Sequence, residues 1–196
     1  MTEHNSPTRA LALPGRRLFL FQTMTATLSG AAIALLAGRP RLVSAATHSD
    51  ARAASDVQIL NAALAAEQEA VAAYQVGAES GLLGGGALKV ALKFQGHHKE
   101  HAAVLAATVE GLGGQPVEAR TRYAFPVETL KSETDVLGFA AGLERGAVTA
   151  YAGAIPQFGD RELSKAAASI LADEAMHWAV LRQAQGLDPV PGAFFS

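Results

Sequence analysis

The chain has 196 residues, a net charge of −2 and no cysteine. That length suits one domain plus a processed N-terminus, and the missing thiols exclude disulfides, thiolate metal sites and iron–sulfur clusters, so any metal must be held by His, Asp or Glu. The charge is uneven: residues 1–45 carry Arg9, Arg16, Arg17, Arg39 and Arg41 against Glu3, which is +4 and leaves −6 for the rest, a balance that argues against a nucleic-acid partner.

In chain order, the first element is an address. Arg16-Arg17-Leu18-Phe19-Leu20-Phe21 opens a weakly apolar run to Ala37, followed by Arg39, Arg41 and the small residues Val43-Ser44-Ala45-Ala46. This resembles a twin-arginine export signal, with Phe21 standing where a Lys is common and cleavage expected after Ala45 or Ala46. Residues 1–46 are therefore expected to be the signal and 47–55 a linker. The implied location is periplasmic or otherwise extracytoplasmic, with a membrane as partner only through the signal. An ordinary secretory signal or an uncleaved anchor is the alternative.

Four long apolar-periodic segments follow in residues 56–185. The spacing predicts helices over about Asp56 to Ser80, Ala87 to Leu112, Thr134 to Gln157 and Arg161 to Gln185, with Ser55 or Asp56 as the first N-cap. Gly81, Gly113-Gly114 and Gly186 are the expected stops, and Pro156 is expected to bend or close the third helix. Short links make the first two and the last two helices antiparallel neighbours, while the aperiodic stretch Gln115 to Glu133 is long enough to recross the bundle. The fold class is thus all-α: an antiparallel four-helix bundle with one long crossover between helices two and three. Residues 186–196 form a C-terminal tail.

The seams carry the chemistry. Alternating steps of three and four give Leu60, Leu64, Glu67, Val71, Tyr74, Ala78 on the first helix and Ala91, Phe94, His98, His101, Leu105, Thr108, Leu112 on the second. The third has Leu137, Ala141, Glu144, Val148, Tyr151, Ile155, and the fourth Leu163, Ala167, Ile170, Glu174, His177, Leu181, Ala184. The ionisable groups fall near mid-seam on every helix, so antiparallel packing puts them in one layer. Three buried carboxylates together are unstable unless a cation compensates them. Glu67, His98, His101, Glu144, Glu174 and His177 are accordingly the candidate metal ligands. An internal repeat supports this. Glu67-Gln-Glu-Ala-Val-Ala-Ala-Tyr74 matches Glu144-Arg-Gly-Ala-Val-Thr-Ala-Tyr151, and His98-Lys-Glu-His101-Ala-Ala-Val-Leu105 matches Glu174-Ala-Met-His177-Trp-Ala-Val-Leu181. Two hairpins with the same pattern imply a pseudo-twofold axis through the site.

On these residues the body, about Asp56 to Gln185, resembles the ferritin-like superfamily, which includes rubrerythrins and bacterioferritins. The resemblance implies a di-iron or di-manganese site with one Glu from each of two helices and a Glu-x-x-His from each of the other two. Glu67 and Glu144 would be the single glutamates, Glu174 and His177 a full motif, and His101 the second histidine. His98 departs from the pattern, standing where the family has a bridging Glu. With three glutamates and an extra imidazole, the site is expected to hold one or two ions, iron first, with manganese, zinc or copper as alternatives. The implied functions are a redox enzyme (oxidase, peroxidase or ferroxidase-like), a metal-binding protein without turnover, or a metal-free stress or structural bundle; no catalytic residue is singled out beyond the ligands. A homodimer is compatible with each. The cysteine-bound centre of a full rubrerythrin is missing, and no fifth helix of the cage-forming kind is expected after Gln185.

His97 and Asp173 are expected at the boundary or surface rather than as ligands, and Glu69 and Glu100 on the solvated face. Tyr74 and Tyr151 are expected in the core with satisfied hydroxyls. Trp178 reads as a flanking residue, and Phe194-Phe195 as either docked or loose.

Overall fold

The structure, a computed structural model, describes the backbone of residues 48–195 and side chains from residue 51. The expected signal at 1–46 lies outside the described residues. Helix α1 spans His48–Glu79, α2 Gly85–Gly111, α3 Glu133–Ala154 and α4 Arg161–Ala184, with short 3-10 turns at Val127–Thr129 and Ile155–Gln157. No strand occurs among the described residues, and no helix there is long and apolar enough to cross a membrane.

Each boundary has a local cause. The N–H of Gly113 bonds Glu110 O and that of Gly114 bonds Val109 O, both at 2.9 Å, closing α2 with Gly113 at φ 77°. Gly186, at φ 72°, closes α4 with the same 6→1 bond, Leu187 N–H to Arg182 O at 2.9 Å. Ser132 caps α3 by accepting from Asp135 N–H, and Asp160 caps α4 by accepting from Glu162 N–H. Pro156 closes α3 into its terminal 3-10 turn, where a missing N–H is harmless.

The start of α1 corrects an expectation. Residues 48–55 already belong to the helix, so neither Ser55 nor Asp56 is its N-cap. The segment Ala51-Arg52-Ala53-Ala54 has high helix propensity and nothing in it breaks a helix. The Arg52 stem also packs at the α3–α4 turn, where a Cβ on Gly159 would come within 3.2 Å of Arg52 Cβ. Asp56 instead holds the turn before α4. Buried to 3% exposure, its Oδ1 accepts from Gly159 N–H at 2.8 Å and its Oδ2 from Asp160 N–H at 3.1 Å.

Helix α1 packs chiefly on α2 and α3 chiefly on α4, with α1 touching α3 and α2 touching α4 across the bundle. The crossover from Gly113 to Ser132 returns along α1. Asn61 donates to Gln115 O at 2.9 Å and accepts from Val117 N–H at 2.7 Å, and Gln68 donates to Val117 O at 3.0 Å. These side chains satisfy backbone groups that no helix serves.

The core forms two apolar clusters. One contains Leu60, Leu64, Leu105, Val109, Tyr151, Leu163, Ala167 and Ile170. The other contains Tyr74, Ala91, Phe94, Leu137, Ala140, Ala141 and Leu181. Between them along the seams lies the layer of Glu67, His98, Glu144, Glu174 and His177, all buried. The seam register therefore holds at its centre and fails only near helix ends, where Leu112 and Ala184 are exposed. Phe195 docks, its ring 5.2 Å from that of Trp178.

Candidate metal centre

All six sequence-predicted ligands meet in one layer. Glu67 comes from α1, His98 and His101 from α2, Glu144 from α3, Glu174 and His177 from α4. His98 Nδ1 lies 2.8 Å from Glu67 Oε2, and its Nε2 lies 3.2 Å from Glu144 Oε1. His101 Nδ1 is 3.1 Å from Glu174 Oε1 and 3.6 Å from Glu67 Oε2. His177 Nδ1 is 3.4 Å from Glu144 Oε2 and 3.8 Å from Glu174 Oε2.

These atoms fall into two overlapping sets, each compact enough for one ion. The first is Glu67, His98, His101 and Glu174; the second is His98, Glu144, Glu174 and His177. Glu174 and His98 belong to both. His98, in the position expected for a bridging carboxylate, points one ring nitrogen at a carboxylate of each set.

Tyr74 and Tyr151 are buried with satisfied hydroxyls, as expected, but their partners lie across the bundle. Tyr74 donates to Glu144 Oε1, and Tyr151 to Glu67 Oε1 at 2.7 Å. A step of seven residues forward on α1, from Glu67 to Tyr74, is a step of seven back on α3, from Tyr151 to Glu144. The helices are thus antiparallel, and the two bonds exchange under the pseudo-twofold of the repeat.

Charge compensation without metal is incomplete. Burial pushes the Glu67 carboxyl up, but His101 and His98 beside it bring its pKa down to about 2. Glu144 is likewise held below the usual carboxylate range by His177 and His98 against its burial. Burial works downward on the imidazoles and is outweighed: His98 rises to about 9 through Glu144 and Glu67, and His101 and His177 to about 11, each led by Asp173. Glu174 goes the other way. It is fully buried, burial raises its pKa, and neither carboxylate oxygen has a hydrogen-bond partner. His101 Nδ1 is also without one, being near Glu174 but out of hydrogen-bond alignment. A buried carboxylate without donors is costly, and a cation between Glu174 and the imidazoles would satisfy these orphaned atoms. The donor set, oxygen and imidazole nitrogen only, fits divalent iron, manganese or zinc.

His97 and Asp173 sit at the boundary, as expected, yet they touch the layer. His97 Nδ1 is 2.9 Å from both Asp173 Oδ2 and His177 Nε2. Asp173 Oδ2 is also 3.2 Å from His177 Nε2 and 3.5 Å from His101 Nε2. Asp173 is held below the usual carboxylate range by His101 and His177, which outweigh its burial. Sequence reasoning missed this contact between α2 and α4, although the adjacency of His97 to His98 and of Asp173 to Glu174 in the repeat was its available signal. Glu69 and Glu100 are exposed, as expected.

On the opposite side, α1 and α3 border a cleft of about 640 Å³. Its walls are mostly Ala and Gly, and Glu67, His98 and Tyr151 reach it.

Four antiparallel helices, one long crossover and a buried layer of glutamates and histidines define the class of carboxylate–histidine helical bundles. The chain belongs to the ferritin-like domain family, whose sequence profile matches residues 55–187. It is similar in structure to the bacterioferritin of Desulfovibrio desulfuricans, whose diiron site is described in different catalytic states (TM-score 0.65, 20% identity, covering 72% of this chain and 84% of that one). It is also similar to a ferritin-like diiron-carboxylate protein from Bacillus anthracis (0.60, 21%, 68% and 97%) and to a dodecameric thioferritin from Bacteroides fragilis (0.58, 24%, 79% and 91%). These likenesses establish the fold. No curated protein matches the chain.

Proposed function

We propose that this chain is an exported ferritin-like metalloprotein that binds iron at the buried layer and oxidises it with peroxide or O₂. The observation that carries this is Glu174, fully buried with both oxygens unsatisfied between two His/Glu sets. Glu67, His101 and Glu174 would hold one ion and Glu144, Glu174 and His177 the other, with His98 between them. A bound ferrous pair supplies two electrons, enough with two protons to convert one H₂O₂ into two waters. The chain's own groups prepare that site. The hydroxyls of Tyr74 and Tyr151 each occupy one oxygen of a glutamate and leave the other for metal. The two apolar clusters exclude bulk water along the bundle axis. The α1–α3 cleft brings a small neutral molecule to the Glu67–His98 edge. Export of the loaded protein rests on the sequence of residues 16–46 alone.

A specific feature favours a second reading, metal binding without turnover. Only three glutamates face the sets, so the site stabilises the extra charge of ferric product less than four would. Loading the full chain with Fe²⁺ under anaerobic conditions and then adding H₂O₂ or O₂ separates the two. Consumption of oxidant with growth of near-ultraviolet ferric absorption is expected. Iron that binds stoichiometrically but is oxidised no faster than free Fe²⁺ would leave binding as the function.

A further inference from the structure

Burial relaxes outward on the α2–α4 side of the layer: the side chain of His177 is 2% exposed, His101 15%, Asp173 24% and His97 31%. Three of these place one atom each at the corners of a small triangle. His97 Nδ1 is 2.9 Å from Asp173 Oδ2, His97 Nδ1 is 2.9 Å from His177 Nε2, and His177 Nε2 is 3.2 Å from Asp173 Oδ2.

Protons cannot satisfy all three edges. If both ring nitrogens carry hydrogen, each donates to Asp173, but two N–H groups then face one another at 2.9 Å. If only one carries hydrogen, the other presents a lone pair to the carboxylate oxygen. If neither does, every edge is a contact between lone pairs. A cation bound by all three atoms removes the conflict. With metal–ligand bonds of about 2.1 Å, neighbouring ligand atoms lie about 3.0–3.4 Å apart, close to the edges observed.

We propose that His97 Nδ1, Asp173 Oδ2 and His177 Nε2 form an outer cation site that takes a divalent transition-metal ion. Two imidazoles and one carboxylate select zinc, iron, copper or nickel over magnesium and calcium. His177 joins the two centres, its Nδ1 facing Glu144 and Glu174 and its Nε2 facing the triangle. When both nitrogens hold ions neither keeps its hydrogen, so both protons of the imidazolium leave to solvent. The site is the exposed end of a path of ligand atoms that leads through His177 into the buried layer. The inference rests on the buried layer being a metal centre only through this shared ring.

The test is a Co²⁺ titration of the full chain and of three variants, at pH 8, counting ions per chain by native mass spectrometry. His97→Gln keeps a hydrogen-bond donor to Asp173 but removes a strong ligand. It is expected to bind one ion fewer than the parent, as is Asp173→Asn, and to load the buried layer several-fold more slowly. An unchanged count in His97→Gln overturns the outer site and leaves His97 and Asp173 as positioning residues for His177. Loss of every ion in His97→Gln also overturns it, because removing an outer site must spare the inner one. Glu174→Ala reports separately on the buried layer. If Glu174→Ala keeps the full count while His97→Gln loses one, the outer site stands and the buried-layer reading falls.

Discussion

A fully buried carboxylate whose oxygens make no hydrogen bond, as in Glu174, has lost its hydration without a donor to replace it. Neighbouring imidazolium groups offset part of the charge, since His98, His101 and His177 all have raised pKa values. His98 is the residue where this site departs from the four-glutamate pattern of the family. His98→Glu is therefore expected to raise the saturating occupancy of the buried layer toward two ions per chain, and to make the metal-free protein less stable by adding a fourth carboxylate. Elemental analysis with a thermal melt of the stripped protein checks both. An unchanged stoichiometry would show that His98 does not limit the second ion. The six candidate ligands were legible in the sequence because the steps of three and four place them at the same depth on four seams. The bonds Tyr74–Glu144 and Tyr151–Glu67 were not, because they depend on the stagger between α1 and α3, which periodicity within one helix does not fix. The contact of Asp173 with His97 was hidden for a related reason: both lie one residue off the seam, where side chains reach the layer only if the α2–α4 spacing is small.

Among the elements, the start of α1 carries the clearest lesson. A Ser-Asp pair before an apolar run has the chemistry of an N-cap, yet the helix continues upstream through an alanine-rich turn. Asp56 instead holds the turn before α4 by accepting from two backbone N–H groups, a tertiary role that local sequence does not reveal. Asp56→Ala leaves both donors without that partner in a buried setting and is expected to cost about 1–3 kcal/mol. For a chain of this size that is a fall in Tm of roughly 2–4 °C per kcal/mol. Ser55→Ala, at an exposed helical position, is expected to be neutral or slightly stabilising. Thermal denaturation of the two variants side by side distinguishes the roles, and equal losses would contradict them. The helix ends at Gly113 and Gly186 were legible because each adopts the left-handed conformation that glycine tolerates best. The path of the crossover was not legible, since it depends on Asn61 and Gln68 pairing with backbone about fifty residues away.

For the molecule as a whole, the ionisable layer couples folding, metal and pH. In the metal-free protein the raised histidines stabilise the fold below their ordinary pKa of 6.5, and that contribution is lost as pH rises through about 9 and then 11. Glu67, lowered to about 2, contributes above its ordinary 4.5 and loses that contribution as pH falls toward 2. Glu174, raised by burial, favours the fold while protonated and opposes it once ionised. The stripped protein is thus expected to be most stable between about pH 4.5 and 6.5 and to weaken toward pH 9. Metal reverses the alkaline trend, because bound ions replace the histidine protons and compete better as pH rises. Melting curves from pH 5 to 9, with chelator and with Zn²⁺, read this as two slopes of opposite sign. Parallel curves would mean that the layer is not where metal binds.

The most direct measurement is an anomalous-scattering map from crystals of the full chain grown anaerobically with Fe²⁺. The expected result is a peak, or a pair of peaks, within about 2.0–2.3 Å of the Glu174 carboxylate oxygens and of ring nitrogens from the surrounding histidines. A map with no peak in this layer, from protein that has been given iron in excess, would contradict the assignment of Glu67, His98, His101, Glu144, Glu174 and His177 as a metal centre.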